Sequence, residues 1–331
     1  MSNPILIELT RGCLVESVHR GAVAVMRPSG EPVLALGPTD RPIFPRSAIK
    51  ALQCLPPIET GAADRFGFGA AEIALACASH SGTDRHVAVA ASMLERADLT
   101  AEALGCGAHM PLGEAAAQRL ILGGRPPTAL HNNCSGKHAG MLATAVHLGE
   151  PPDGYWKPEH PVQQRILNVL QEFTGQALGA DVCSIDGCSA PNWAIPLRDL
   201  ARAFACFVTG EGPAAPHRAA AERIVHACWQ EPELVAGQGR LDTRLMTRSP
   251  GEVFVKTGAE GVYCGALPRL GLGLAIKIDD GAKRAAEAVL IEILRRLVPG
   301  TTEPAGGVLS NWHGLAVGEM RAAPALAAGL D

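Results

Sequence analysis

Residues 252–278, EVFVKTGAEGVYCGALPRLGLGLAIKI, decide the fold because they return the chain to strands after a long helical middle. Apolar and β-branched residues predict strands over 252–256, 262–267 and 272–278, with turn residues between them. A helical pattern over residues 283–297 follows. This part of the chain therefore predicts consecutive strands covered by a helix.

The start of the chain carries a second group of strands. The pattern predicts short strands over residues 5–9, 22–26 and 32–36, and the turn formers between them favour an antiparallel meander. The middle is different, because helical composition or spacing dominates there. The predicted helices cover residues 70–78, 85–97, 113–120, 137–148, 160–173, 192–207 and 215–229.

Strands first, helices next and strands again predict an α+β fold. We expect an antiparallel sheet built from the N- and C-terminal segments, flanked by helices, with a helical middle lobe. The whole chain then forms a single domain with a sheet lobe, about residues 1–60 and 250–331, and a helical lobe, about residues 61–249. The groove between the lobes is the expected place for a site.

Composition narrows the possible functions. The chain of 331 residues has a net charge of −4 and only 4% aromatic residues, which argues against nucleic-acid binding. No apolar run reaches the roughly 18 residues of a membrane span. The start lacks the basic and apolar regions of a signal peptide, so we expect a cytoplasmic protein. The ten cysteines form no C-x-x-C pair, and we expect reduced, mostly buried thiols.

Lysine is scarce, because the chain has six lysines and 23 arginines. Three of the six, Lys50, Lys137 and Lys256, lie in motifs. Lys50 closes an S-x-x-K motif that begins at Ser47, and Lys256 opens a K-T-G motif. Chance predicts about 0.2 matches to the first pattern and about 0.03 to the second in a chain of this composition. The two motifs belong together, in this order, in a known group of serine hydrolases.

Ser47 is the candidate nucleophile, and Lys50 is the candidate base that removes its proton. A serine that caps a helix, followed by an exposed lysine, is the alternative interpretation. Lys256 can lower the proton affinity of Lys50 by its charge, or it can pair with a second hydroxyl, for which Ser79 and Ser81 are candidates. Otherwise Lys256 is an ordinary lysine at the end of a strand.

Two further segments are rich in polar and small residues. The stretch HNNCSGKHAGM over residues 131–141 precedes a helix start, and CSIDGCSAP over residues 183–191 resembles a loop. Such polarity before a tight turn favours a functional site. Cys134 and Cys188 are a weak zinc signal on spacing alone, because zinc prefers four ligands. Two buried thiols are the simpler interpretation.

Taken together, five motifs resemble the rhizobial-type, class 3 bacterial L-asparaginases over almost the whole chain. They are LVESVHRG (14–21), PRSAIK (45–50), HNNCSGKH (131–138), DGCSAP (186–191) and KTGAEG (256–261). The resemblance implies a fold similar to serine-dependent glutaminases and penicillin-recognising enzymes. It also implies an amidohydrolase that acts on a linear amide, L-asparagine, and a homodimer. The S-D-N motif of penicillin-recognising enzymes is absent.

The resemblance also assigns roles to residues. Ser47 would be the nucleophile with Lys50 as its base, and Ser79 with Lys256 would form a second serine–lysine pair. A zinc ion (Zn2+) beside the catalytic serine would tune substrate affinity rather than activate water. The implied zinc ligands are Cys134, Lys137 and Cys188.

Chemical type suggests the groups that hold the substrate. Arg46 offers the fork geometry that suits an α-carboxylate, and Asp186 suits an α-ammonium group. We also expect His138 and the backbone at Gly258 to contact the substrate, the latter near the oxyanion. Two alternatives stay open: another serine–lysine amidase, such as a glutaminase or β-lactamase, and a non-catalytic protein that senses zinc or an amino acid.

Overall fold

The computed structural model describes residues 2–330. An eight-stranded antiparallel sheet forms its centre, with two short two-stranded sheets beside it. The strands are β1 (Ile5–Arg11), β2 (Leu14–Met26), β3 (Pro32–Leu36), β4 (Pro42–Ile43), β5 (Cys183–Ile185), β6 (Pro191–Trp193), β7 (Ile195–Pro196), β8 (Phe254–Thr257), β9 (Val262–Leu267), β10 (Leu272–Ile278), β11 (Gly307–Ser310) and β12 (Ala316–Ala322). The main sheet has the order β11-β12-β1-β2-β10-β9-β8, and β3 also pairs with β2.

Most helices lie between β4 and β8, one lies between β10 and β11, and the last follows β12. They are α1 (Lys50–Gln53), α2 (Leu55–Glu59), α3 (Ala62–Arg65), α4 (Ala70–Ala76), α5 (Asp84–Arg96), α6 (Glu114–Leu122), α7 (Ser135–Leu148), α8 (Pro161–Thr174), α9 (Leu197–Thr209), α10 (Arg218–Gln230), α11 (Pro232–Val235), α12 (Leu241–Arg248), α13 (Lys283–Leu297) and α14 (Pro324–Leu330). No helix within residues 2–330 is long and apolar enough to span a bilayer.

The central strands are buried because helices cover them. Every residue of β9 is buried, as are all but one of β10, which matches their nearly continuous apolar sequence. Helix α9 packs on β2, β9 and β10, and α13 packs on β1, β9 and β10. The main hydrophobic core therefore lies against the middle of the sheet.

The predicted α+β class is confirmed, and so is the sheet shared by the two ends of the chain. Strands β9 and β10 and helix α13 have the predicted bounds. The predicted lobe boundaries stay a prediction.

Two local predictions were wrong, and one hairpin was missed. Strand β2 begins at Leu14 rather than residue 22, and its first half is mostly exposed, so it lacks a buried apolar pattern. Residues 192–196 pair as strands, and α9 begins only after Pro196, because proline disfavours helix in the residue before it. The hairpin of β11 and β12 was not predicted, since most of its residues are at least partly exposed.

One close helix contact positions the segments that carry the site. Helix α7 begins at Ser135 and packs on α4, and a Cβ atom on Gly136 would lie 2.4 Å from the carbonyl oxygen of Leu75. Only glycine permits this approach. It brings the start of α7 against the end of α4, which leads directly to Ser79.

Replacing Gly136 with alanine should therefore destabilise the fold by about 1–3 kcal/mol, as overpacking of a tight contact does. Gly140→Ala, one turn later on the same helix, is the matched control. Its added Cβ would meet its nearest neighbour at 3.4 Å, so the better helix propensity of alanine should leave stability equal or higher. Urea unfolding of both variants measures the difference. Equal stabilities for the two variants would contradict the close contact.

Candidate active site

The S-x-x-K motif forms a tight turn followed by a helix. Ser47 lies in a 3-10 turn, Arg46–Ile49, and Lys50 begins α1. Side chains three residues apart in a 3-10 turn project in the same direction. The Ser47 side chain is half-buried, whereas Lys50 is 1% exposed. Ser47 is therefore partly accessible to solvent, whereas Lys50 lies in the interior.

Lys50 is held by three acceptors from two parts of the chain. Its Nζ donates to the Ala78 carbonyl, to Ser79 Oγ at 3.0 Å and to Cys134 Sγ at 3.0 Å. An ammonium group has three N–H donors, and each has a partner here. Within residues 2–330 no hydrogen bond joins Ser47 Oγ to Lys50, so their predicted pairing stays a prediction.

Ser79 is thus in contact with Lys50. The sequence suggested Ser81 as an alternative hydroxyl, but Ser81 Oγ donates to the carbonyl of Ala236 at 2.8 Å. That bond directs Ser81 to another loop. Of the two serines, Ser79 is the one whose hydroxyl adjoins an amine.

Lys256 lies on β8 with 1% of its surface exposed, and its Nζ donates to the Thr257 carbonyl at 2.9 Å. Burial lowers the pKa of Lys256 to about 7. The carboxylate of Asp242 partly offsets this lowering of the pKa, and the charges of Lys50 and Arg240 contribute to it. At neutral pH a large fraction of Lys256 is therefore the free amine.

Gly258 places the K-T-G segment against the Ser47 turn. A Cβ on Gly258 would lie 2.8 Å from the carbonyl oxygen of Pro45 and 3.3 Å from the Cβ of Ala48. Because Gly258 has no side chain, the loop can contact Pro45 and Ala48, which lie before and after Ser47 in the sequence. The Gly258 N–H donates to the Val262 carbonyl at 2.8 Å, so this N–H already has an acceptor, and its expected contact with the oxyanion stays a prediction.

Arg46 and Asp186 form an ion pair beside the turn. Arg46 Nε donates to Asp186 Oδ1 at 2.7 Å, and the two side chains are 28% and 12% exposed. Arg46 has a φ of +53°, a left-handed conformation that is rare outside glycine and is often found at functional sites. The pair that was predicted to bind the two α-substituents of the substrate therefore lies together, directly before Ser47.

A cavity of about 640 Å3 adjoins this ion pair. Arg46 belongs to its wall, so the cavity reaches the residue that precedes Ser47. Apolar and charged side chains share the rest of the lining, among them Arg41, Phe44, Ile185, Glu260 and Lys277. The space suits a small ligand with both apolar and charged groups.

The predicted zinc ligands lie together under the same site. Lys137 Nζ lies 3.2 Å from Cys188 Sγ. A hydrogen bond from Cys134, with the charge of Lys137, lowers the pKa of the Cys188 thiol. Burial lowers the pKa of Lys137, but the nearby Cys188 and Cys134 more than offset this and leave that pKa above its ordinary value. Cys188 and Lys137 therefore each stabilise the charged form of the other.

His138 lies beneath the two cysteines and is completely buried. Its Nδ1 shares a hydrogen bond with the hydroxyl of Tyr155, and its Nε2 is buried without a hydrogen-bond partner in the described part of the chain. Burial lowers the pKa of His138, which keeps the imidazole neutral. Its predicted contact with substrate stays a prediction, because it is buried at the cysteine group.

This donor set fits zinc in its chemistry. Two cysteine sulfurs are soft donors that zinc prefers, and the unpartnered Nε2 of His138 is a further buried nitrogen. However, residues 2–330 contain no arrangement of three or more His, Cys, Asp or Glu side chains that could hold a metal. A zinc ion here therefore needs the Lys137 amine as a third ligand, and Lys137 must lose its proton to supply it.

Two charged groups at the site were not predicted from the sequence. Arg240 Nη1 donates to the Ser79 carbonyl at 3.1 Å, and Asp242 lies 1% exposed next to the K-T-G segment. Neither residue belongs to a recognisable motif. An acidic residue in the first turn of a helix is common on any surface helix, so local sequence does not separate Asp242 from an ordinary one.

Comparisons with known proteins agree with the sequence motifs. A protein-family model described as L-asparaginase II matches residues 7–322. No curated protein sequence is similar enough to match the chain.

Solved structures resemble this chain only distantly. The native form of Mglu in 4.3 M NaCl is 17% identical, with a TM-score of 0.46 over 92% of this chain and 66% of that one. Its L-glutamate binding form is 18% identical, with a TM-score of 0.45 over the same shares. A β-lactamase from Mycobacterium bovis is 14% identical, with a TM-score of 0.35 over 79% of this chain and 88% of that one. The chain thus spans just under two thirds of Mglu.

Proposed function

Because the chain belongs to the L-asparaginase II family, we propose that it hydrolyses the side-chain amide of L-asparagine to L-aspartate and ammonia. Family membership over residues 7–322 makes it an amidohydrolase. The observation that carries the serine–lysine chemistry is the contact of 3.0 Å between Lys50 Nζ and Ser79 Oγ, beside a buried Lys256. Two amines and two hydroxyls of this kind suit acyl transfer.

The proposed reaction begins when Ser47 Oγ attacks the carbon of the side-chain amide. Its proton passes to Lys50, which donates one of its own to Ser79, and the neutral amine of Lys256 takes up the charge at the end of this relay. The C–N bond then breaks, and the returning proton leaves with ammonia. Water repeats the sequence on the acyl-enzyme ester and releases aspartate, which regenerates the Ser47 hydroxyl.

The ion pair of Arg46 and Asp186 supports the proposed binding of an α-amino acid. A carboxylate in the cavity can take Arg46 as partner, and an ammonium group can take Asp186. The ion pair between Arg46 and Asp186 would then be replaced by two ion pairs, one from each residue to the substrate. This exchange places the side-chain amide next to Ser47, which directly follows Arg46.

We also propose that Cys134, Cys188 and Lys137 bind zinc, and the convergence of two thiols and an amine supports this. The contact of 3.0 Å between Lys50 Nζ and Cys134 Sγ connects that group to the catalytic lysine. A bound cation there would supply positive charge near the substrate and tune its affinity. The expected homodimer and the cytoplasmic location stay predictions.

Ser47→Ala should reduce ammonia release from L-asparagine by at least about a thousandfold, because no other group replaces the nucleophile. A coupled ammonia assay measures this, and circular dichroism checks the fold. Ser81→Ala is the matched control, since Ser81 is directed to another loop and its loss should change turnover little. A Ser47→Ala enzyme with wild-type turnover would reject the nucleophile.

The same assay separates the related activities. L-asparagine should give the highest kcat/KM, and L-glutamine, longer by one methylene, should give about 10–200-fold less. A chromogenic cephalosporin should not be hydrolysed. A preference for glutamine would assign the chain to glutamine hydrolysis instead. Ligand binding without ammonia release would favour a sensor.

The pH dependence should follow Lys256. With its pKa lowered to about 7 by burial, the amine is free above that pH and protonated below it. If the free amine is required, kcat/KM falls by about tenfold for each pH unit below about 7. Lys256→Arg should be inactive from pH 5 to 9, because arginine keeps its proton. A wild-type profile that stays flat from pH 5 to 8 would contradict this role.

Purified protein loaded with zinc and then dialysed should retain about one equivalent. Cys188→Ala and Lys137→Met should each lose the metal, while Cys13→Ala, at an exposed cysteine, should keep it. Elemental analysis by mass spectrometry provides the measurement. Wild-type protein that retains no zinc, or a Cys188→Ala variant that binds it equally, would exclude this site.

A further inference from the structure

Asp242 is a buried carboxylate that the proposed relay does not use. It lies in the first turn of α12 with 1% of its surface exposed. Its Oδ1 accepts the backbone N–H of Thr257 at 2.7 Å, and its Oδ2 accepts the hydroxyl of Tyr263 at 2.8 Å. Both oxygens therefore have a fixed partner.

The two donors belong to neighbouring strands. Thr257 ends β8, Tyr263 lies on β9, and the two residues face each other in the β8–β9 ladder. One carboxylate thus joins α12 to both strands at the point where β8 leaves the sheet. Asp242 thus holds the backbone of Thr257, the residue that follows Lys256 and whose carbonyl accepts a hydrogen bond from Lys256 Nζ.

A buried carboxylate is costly unless an opposite charge lies close to it, since two neutral donors only partly replace its hydration. Lys256, when protonated, is the nearby opposite charge. Among the groups with the largest effects on the pKa of Lys256, Asp242 is the carboxylate. Lys50 and Arg240 act in the opposite direction. The other titratable groups around Lys256 are Cys77, Cys134, Cys228 and Cys264.

The contribution of Asp242 is thus to oppose the effects of burial, Lys50 and Arg240 on the pKa of Lys256. Burial and two cations all favour the free amine, and Asp242 favours the ammonium. A relay base must both accept and return a proton, so neither form can be too stable. Asp242 supplies the opposing charge without contacting the substrate cavity.

We propose that Asp242 is a positioning residue of the active site, whose carboxylate holds the K-T-G segment in place and whose negative charge stabilises the ammonium form of Lys256. The relay part of this inference rests on the proposed function. The effect of Asp242 on Lys256 does not, and it can be measured without substrate.

Asp242→Asn is the central variant, because the amide keeps an oxygen for the Thr257 N–H and loses only the charge. Removing an anion destabilises the nearby ammonium, so the titration midpoint of Lys256 should fall by about one pH unit or more. NMR of protein labelled with [ε-13C]lysine measures this directly. The chain has six lysines, and Lys256→Gln identifies the resonance.

Tyr263→Phe is the matched control, since it removes the second hydrogen bond from the same carboxylate without changing its charge. The Lys256 midpoint should then stay within about 0.3 of wild type, which is small against the effect of a full charge. In kinetics, the acid limb of the pH profile of kcat/KM should shift to lower pH in Asp242→Asn. In Tyr263→Phe it should stay at the pH of wild type. An unchanged midpoint in Asp242→Asn, or an equal fall in Tyr263→Phe, would overturn the inference.

Asp242→Glu covers the case in which the asparagine variant does not fold. It keeps the charge but displaces the carboxylate, so kcat should fall while the Lys256 midpoint stays near that of wild type. A midpoint that falls by a full unit in Asp242→Glu would overturn the charge role. If wild-type protein releases no ammonia, the proposed function fails, but the lysine titration still tests Asp242.

Discussion

The burial of two lysine side chains is the constraint on which the rest of this site depends. Lys50 and Lys256 are both 1% exposed, and a buried ammonium group is strongly disfavoured without compensation. The protein compensates them differently. Lys50 has three hydrogen-bond acceptors, while Lys256 has one carbonyl and the charge of Asp242. Burial lowers the pKa of Lys256 to about 7, so this amine titrates near neutral pH.

Close backbone contacts keep both amines away from water. Gly136 lets α7 touch the end of α4, and Gly258 lets the K-T-G segment touch the Ser47 turn. Side chains at these two positions would separate the segments and admit water, and water would stabilise the charged amines. The packing of small residues therefore controls the electrostatics of the site, and through them the proposed proton relay.

Charged and polar side chains continue from the two lysines into the cysteine group, which consists of Cys134, Lys137 and Cys188. The lowered pKa of Cys188 places a thiolate against Lys137, and Cys134 accepts a hydrogen bond from Lys50. The two buried lysines thus lie between the carboxylate of Asp242 and the sulfurs of the cysteine group. Because Cys134 Sγ contacts Lys50 Nζ, a change of charge at the cysteine group acts directly on the Lys50 amine.

The sequence by itself determined the α+β class, half of the described strands and most of the described helices, because hydrophobic period and turn residues are local signals. The scarcity of lysine singled out Lys50, Lys137 and Lys256 before any contact was known. Only the tertiary structure decided the partners of Lys50, because Ser79 and Cys134 lie 29 and 84 residues further along the chain. It also decided the role of Asp242, since a charge acts across space and leaves no trace in its sequence neighbours.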